Sequence, residues 1–166
     1  MDETDWEDRI SAAWESSDEL SEADFLALIE KLAAELPPDS GTGFFERASS
    51  LDSTGHSDMA VPLYRQALEH GLEGVRRRRA VIQMASSLRN IGRPEESVAL
   101  LTAEIDAGSD ELDDAVLAFL ALALADTGRE REGLSAALAA LAPHLPRYQR
   151  SVATYARLLV EPETDS

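Results

Sequence analysis

The sequence predicts an all-α protein made of a short stack of antiparallel helical hairpins. The first observation is composition: hydrophobic residues make up 44% of the 166 residues but aromatic residues only 5%, and alanine and leucine are prominent. Both lose little rotamer freedom in a helix, which favours helical structure. The second observation is an internal repeat, and the third is a glycine at the same place in each copy. A chain of this length supports one repeat domain and leaves little for a second.

Three segments of the chain align without gaps on Gly55, Gly92 and Gly128, which lie 37 and 36 residues apart. Apolar or small residues stand four, seven and eleven positions before each glycine, a spacing that places them on one face of a helix. We expect each glycine to close that helix in the left-handed conformation, in which a Cβ atom would be strained. Five positions later a small residue lets the second helix of the hairpin approach the first; these residues are Ala60, Ser97 and Gly133.

This pattern resembles the tetratricopeptide repeat, in which small and large apolar residues alternate at fixed positions of a helix-turn-helix unit. The segment GHSDMAVPLYRQALEHG, residues 55–71, is the best match, and residues 42–160 together are similar to a small bacterial branch with three repeats. The resemblance implies a solenoid with a concave binding groove and no assigned reaction. The expected units are residues 41–72, 73–109 and 110–145, followed by a capping helix at 146–160.

The first 40 residues carry 13 acidic and 2 basic side chains, so they hold most of the formal net charge of -17. Trp6, Ile10 and Trp14 are spaced for an amphipathic helix, and residues 25–36 carry a second apolar stripe. Ser21 stands where a capping residue would begin that second helix. We therefore predict an acidic helical N-terminal arm at 1–40, joined to the repeats by the hinge PPDSGTG.

The other end of the chain is expected to shield the last repeat. Repeat arrays need a terminal element that covers their final apolar surface. The segment RYQRSVATYARLLV is predicted to be this capping helix, with its packed face formed by Tyr148, Val152, Tyr155 and Leu159. Residues 161–166 are predicted to be a disordered tail.

Charge and composition exclude several classes of function. A net charge of -17 opposes binding to nucleic acid, whose phosphates are neutralised by lysine and arginine. The longest apolar run, residues 116–125, is about half of the roughly 20 residues that a membrane helix needs. The acidic start has no basic region or apolar core of a secretory signal, so we expect a cytoplasmic protein that binds neither membranes nor nucleic acid.

The sequence offers no chemistry that would make the protein an enzyme. It contains no cysteine, and His56, His70 and His144 are isolated from one another and from carboxylates at metal-ligand spacing. Phosphate-loop, dinucleotide-binding and hydrolase motifs are missing from it. We therefore expect no catalytic residue, no metal and no cofactor.

The segment GVRRRRAVIQ, residues 74–83, places four consecutive arginines at the start of the second repeat. Consecutive helical residues are ~100° apart, so these side chains do not form one basic patch. Arg76 is expected to face solvent and pair with Glu73, while the next two arginines lie on the packing side.

The fourth arginine, Arg79, is predicted to face the concave groove. Guanidinium groups bind carboxylates in bidentate fashion, so the expected ligand there is acidic. A solvated helix face, docking of the chain's own acidic arm, and capture of an acidic peptide all remain open. The candidate groove residues are Phe45, Ser49, Asp52, Arg79, Ile82, Gln83, Ser86, Arg89 and Asn90.

The third repeat has an apolar groove side instead. A helix that is apolar all round must be covered all round. The cover could be the capping helix, the arm helix at residues 25–36, or the same surface of a second copy, and a two-fold contact is the commonest solution. The residues predicted to form this groove or dimer surface are Ala115, Ala118, Leu122 and Ala125.

By analogy of fold, the predicted function is a non-enzymatic scaffold that binds a protein or peptide, as a homodimer. Two alternatives stay open. One is a structural or regulatory dimer whose groove is filled by its own chain, and the other is a binder of a small anionic ligand at the arginine cluster.

Overall fold

The computed structural model describes residues 3–161, except for the side chain of Glu3. Most of the predicted tail, residues 162–166, therefore lies outside the described residues. Every regular element from residue 3 to residue 161 is helical, which confirms the all-α prediction. The α-helices are α1 (Glu3–Glu15), α2 (Glu22–Ala33), α3 (Gly41–Ser53), α4 (Ser57–Glu69), α5 (Gly74–Asn90), α6 (Pro94–Ala107), α7 (Asp113–Asp126), α8 (Glu130–Leu141) and α9 (Gln149–Leu158).

The chain forms two compact units, Met1–Ser87 and Leu88–Ser166. The boundary falls within α5, whose first part belongs to the first unit. In the first unit α1 packs on α2, α2 on α3, and α3 on α4. In the second unit α6 packs on α7, α7 on α8, and α8 on α9. The predicted arm at 1–40 thus packs with the first repeat in one compact unit.

The hairpin turns follow the predicted glycines. Gly55, Gly92 and Gly128 have φ angles of 88°, 76° and 75°, a left-handed conformation that glycine adopts without a steric penalty. The prediction that they close helices is confirmed.

Close packing of α7 on α8 depends on Gly133. A Cβ atom at this position would lie 2.7 Å from the backbone oxygen of Ala121, too close for any side chain. The predicted small residue therefore allows the two helices to approach.

The α1–α2 hairpin has its own apolar core. Trp6 is buried, and its indole nitrogen Nε1 donates a hydrogen bond of 2.9 Å to the carbonyl of Leu32. The rings of Trp14 and Phe25 meet edge to face at 5.1 Å. Ser21 caps α2 by accepting a bond from the Asp24 amide, as predicted. The remaining core residues of this hairpin are Ile10, Ala13, Ile29 and Leu32.

The packed face of α9 differs from the prediction. Tyr148 and Tyr155 are 75% and 67% exposed, whereas Ala156 is buried, with Val152 and Leu159 half-buried. Helical spacing does not apply to Tyr148, because it precedes the helix with a φ of 69°. The small Ala156 also lets α9 approach α8, and its carbonyl accepts a 2.7 Å bond from the Ser135 hydroxyl.

Candidate functional site

Seven of the predicted groove residues lie in the first unit, on α3 and on the part of α5 before residue 88. We call this surface the α3–α5 face. It contains Phe45, Ser49 and Ile82, which are buried, Asp52, Gln83 and Ser86, which are half-buried, and Arg79, which is exposed.

Arg79 is the residue of this face that is open to a ligand. The central carbon of its guanidinium lies 5.4 Å from the centroid of the Phe45 ring, within the range of a cation–π interaction. Among the described residues, no carboxylate forms a salt bridge with Arg79. The Phe45 ring therefore holds the Arg79 guanidinium in place, and this guanidinium remains available to an anionic group of a ligand.

The polar side chains beside Arg79 bond mainly to one another. The hydroxyls of Ser49 and Tyr64 donate to the Gln83 oxygen Oε1 at 3.1 and 3.3 Å. The Asp52 carboxylate accepts hydrogen bonds from Ser87 at 2.6 Å and from Ser57 at 3.2 Å. These bonds join α3, α4 and α5, so most polar groups of the face are already satisfied.

Tyr64 is a neutral donor in this network. Burial raises the pKa of its hydroxyl far above the ordinary value, and the charge of Asp52 acts in the same direction. A phenol that stays protonated at every physiological pH keeps its bond to Gln83. The network is therefore structural and gives no acid or base for catalysis near neutral pH.

Arg76 is not at the position predicted for it. We expected it to face solvent beside Glu73, but its guanidinium binds Glu7 through two bonds of 2.8 and 2.7 Å and Glu46 through one of 3.0 Å. The expectation was wrong because Glu7 comes from α1, a contact between distant segments that helical spacing cannot reveal. The hydrogen bonds to Glu7, followed by the charge of Glu46, raise the pKa of Arg76.

Glu46 links the arm to the repeats. It is only 3% exposed, and its carboxylate accepts bonds from Arg76 and, at 2.8 Å, from the indole nitrogen of Trp14. The acidic arm is thus bound to the first arginine of α5, three residues before Arg79. Sequence reasoning missed Glu46, although a glutamate among the apolar positions of α3 is a signal that a buried partner exists.

The two remaining groove candidates lie in the second unit. Arg89 forms a 2.6 Å salt bridge with Asp126, and Asn90 is exposed. Because a carboxylate already neutralises Arg89, an acidic ligand would have to displace Asp126 to bind there.

The four residues predicted to form an apolar groove or dimer surface lie on α7. Ala115 is half-buried, and Ala118, Leu122 and Ala125 are exposed. Together with Leu134 and Ala137 of α8, the last three border a depression of about 430 Å³. We call these five residues, Ala118, Leu122, Ala125, Leu134 and Ala137, the α7–α8 patch. Leu122 and Leu134 are 49% and 51% exposed, an unusual state for two neighbouring leucines.

The histidines lie at the surface beside single partners. His56 Nε2 lies 2.7 Å from Glu22, and His144 Nε2 lies 2.7 Å from Asp114. Within the described part of the chain, no three histidine or carboxylate side chains cluster closely enough to hold a metal ion. No described helix is both long and apolar enough to cross a membrane.

Helical hairpins of repeated sequence, each closed by a glycine, define a helical repeat protein. The tetratrico peptide repeat family matches residues 41–159, from the first residue of α3 to just beyond α9. The chain therefore belongs to the tetratrico peptide repeat family, as its sequence pattern predicted. No curated protein matches it.

Proposed function

We propose that this protein is an interaction scaffold that binds an acidic segment of a partner protein on the α3–α5 face. Membership of the tetratrico peptide repeat family suggests a role in protein–protein interaction. Stacked repeats present long continuous surfaces for this purpose. The proposal adds the position of the site and the charge of the ligand.

The observation that carries the proposal is the state of Arg79. Its guanidinium is exposed, stands over the Phe45 ring and has no carboxylate partner among the described residues, although the chain has 32 acidic and 15 basic side chains. A planar guanidinium held by a ring loses less freedom on binding than a flexible lysine does. Its five donors fit the two oxygens of a carboxylate.

A peptide segment fits this face better than a small multivalent anion does. A ligand with several charges would need a second available cation, but Arg76 is already bound to Glu7 and Glu46. One carboxylate on a segment that also makes backbone and apolar contacts needs only Arg79. The ligand of this proposal is therefore a glutamate or aspartate side chain in a partner protein.

A titration followed by amide NMR of the isotope-labelled full chain tests the proposal. The probe is a capped alanine peptide that contains one glutamate, so it offers a single carboxylate together with backbone and small apolar contacts. We expect shift changes centred on Arg79 and Phe45, and about tenfold weaker binding for Arg79→Glu, because the variant repels the carboxylate. Arg93→Glu makes the same change of net charge in the second unit and should bind like the wild type.

Two outcomes would contradict the site. One is a titration without shift changes at α3 and α5, and the other is equal weakening by Arg79→Glu and Arg93→Glu. The second result would show that the peptide senses only the overall charge of the protein.

We also propose that two copies associate through the α7–α8 patch. The patch combines projecting Leu122 and Leu134 side chains with a depression lined by alanines, so a two-fold contact can place a leucine of each copy in the depression of the other. Sedimentation equilibrium of the wild type should give twice the chain mass of 18.0 kDa. The Leu122→Glu variant should sediment as a monomer of 18.0 kDa. A monomeric wild type at high concentration would contradict the dimer.

A further inference from the structure

Helix α9, the last helix of the described residues, exposes both polar and apolar side chains. Its inner side packs on α8 through Ala156. Beside the exposed Arg150, Thr154 and Arg157, α9 exposes a tyrosine and a leucine, and a second tyrosine is exposed just before the helix. We call this surface the α9 outer strip, and it consists of Tyr148, Ser151, Tyr155 and Leu158.

The strip is continuous along the helix. Ser151, Tyr155 and Leu158 are separated by four and three residues, which places them on one side of α9. Tyr148 stands immediately before the helix, where its left-handed backbone leaves the side chain 75% exposed. Tyrosine is enriched in protein interfaces because its ring supplies contact area and its hydroxyl a hydrogen bond. The composition of the strip is that of an interface.

The segment of the chain that carries the strip is basic in an otherwise acidic protein. Residues 133–160 contain three arginines and neither aspartate nor glutamate, so the rest of the chain carries a net charge of -20. Arg147 and Arg150 form no salt bridge within residues 3–161, whereas Arg157 is paired with Glu161 at 2.8 Å. Arg150 immediately precedes Ser151 in the helix and lies ~100° around the axis from it. Two available cations therefore adjoin the apolar strip.

We propose that the α9 outer strip is a second docking surface, which binds an acidic segment with apolar side chains in a partner protein. Carboxylates of the segment pair with Arg147 and Arg150, and its apolar side chains cover Tyr155 and Leu158. This site is separate from the α3–α5 face and does not depend on Arg79.

Charge decides between this occupant and a second copy of the chain. An antiparallel two-fold contact between α9 helices brings Arg147 and Arg150 of one copy toward Arg157 of the other, whose neighbouring carboxylate, Glu161, is already paired with Arg157. Like charges facing each other across an interface disfavour that pairing. An acidic partner avoids this repulsion, because its carboxylates pair with the same arginines.

Two labelled synthetic peptides about as long as α9 test the proposal with the full-length protein. The first contains glutamate and leucine at helical spacing, and the second has serine in place of every leucine. Fluorescence anisotropy should show that the leucine peptide binds more tightly, because only it can cover the tyrosines. The double variant Arg147→Glu, Arg150→Glu should weaken its binding about tenfold or more.

Two further variants separate the possible sites. Tyr155→Ser with Leu158→Ser should also weaken the leucine peptide, without changing any charge. Arg79→Glu is the matched control, and it should leave the leucine-dependent part of binding unchanged. Circular dichroism checks that each variant keeps its helix content, which is expected because all these side chains are exposed.

The proposal is overturned if the two peptides bind equally, or if the α9 variants have no effect. It is also overturned if sedimentation shows that the α9 variants abolish self-association, since the strip would then contact a second copy. Loss of binding in Arg79→Glu alone would support the α3–α5 face and reject α9. The experiment can therefore reject the proposed site on α9 without rejecting the α3–α5 face, and the reverse.

Discussion

The two units of the chain differ in what their surfaces leave unsatisfied. In the first unit acidic and basic side chains pair across helices, as in Arg76 with Glu7 and Glu46 or Arg47 with Glu30. In the second unit large apolar side chains stand in solvent, among them Leu122, Leu134 and Leu158. The first unit pairs arginines with carboxylates of neighbouring helices but leaves Arg79 without a salt bridge among the described residues, whereas the second unit exposes apolar surface that a partner could cover.

The difference follows from the sequence of the two units. The acidic arm places Glu7 where Arg76, at the start of α5, binds it. The second unit has no comparable arm, and its helices α7 and α8 are rich in alanine and leucine on more than one face. A helix that is apolar on several faces remains partly exposed when it packs against only its neighbours.

The largest expected effect comes from removing the core of the first unit. Trp6→Ala deletes a buried indole and its bond to Leu32, and should lower the free energy of unfolding by about 3–5 kcal/mol. Denaturation together with amide hydrogen exchange will measure the change and locate it in α1 and α2. A loss below about 1 kcal/mol, smaller than most buried aromatic truncations give, would show that the arm adds little stability.

A smaller loss is expected in the second unit from Gly133→Ala. The added Cβ atom would meet the backbone of Ala121 at 2.7 Å, so α7 and α8 must separate, at a cost of about 1–3 kcal/mol. The same substitution normally stabilises a helix, by up to about 1 kcal/mol. Thermal unfolding of the variant measures which effect dominates, and an increased melting temperature would contradict the close approach.

The charge pairs of the first unit predict a dependence on pH. Hydrogen bonding by Arg9 lowers the pKa of Glu35 below the usual 4.5. The Arg9–Glu35 pair therefore stabilises the fold at pH values above the pKa that Glu35 has in the unfolded chain. This stabilisation is lost as the pH falls through the lower pKa that Glu35 has in the folded chain. Denaturation midpoints of wild type and Glu35→Gln should differ at neutral pH and converge in acid. If the two midpoints differ by the same amount at every pH, the Arg9–Glu35 pair is not the cause of the pH dependence.

The smallest effect on stability is expected at the α9 outer strip. Tyr155→Ser removes a side chain that is 67% exposed, so the free energy of unfolding should change by less than about 0.5 kcal/mol. Equilibrium denaturation provides the measurement. A large loss would mean that Tyr155 supports the fold, and the comparison between the two units would then fail at this helix.

Local patterns in the sequence predicted most of the fold. The positive φ angles of Gly55, Gly92 and Gly128 and the cap at Ser21 depend on nearby residues, which periodicity and turn chemistry describe well. The contacts of Arg76 could not be predicted in this way, because Glu7 is 69 residues away in the chain. The packed face of α9 was misassigned because Tyr148 was counted as helical, although the helix begins one residue later.

The candidate site was predicted in part. Helical spacing separated Arg79 from its three neighbouring arginines, and the structure places it over Phe45, another predicted residue. Sequence could not show that Arg89 is paired with Asp126, since that contact joins two helices. Nor did it identify Leu134, whose exposure depends on how α8 packs against α7 and α9.

Exchange of the charge at residue 79 is the sharpest test of the proposal that Arg79 recognises a carboxylate of a partner. Wild type and Arg79→Glu are each titrated with capped alanine peptides that contain one glutamate or one lysine, and binding is followed at the amides of α3 and α5. We expect the wild type to prefer the glutamate peptide and Arg79→Glu to reverse this preference at the same amides. An unchanged preference in the variant would contradict the proposal.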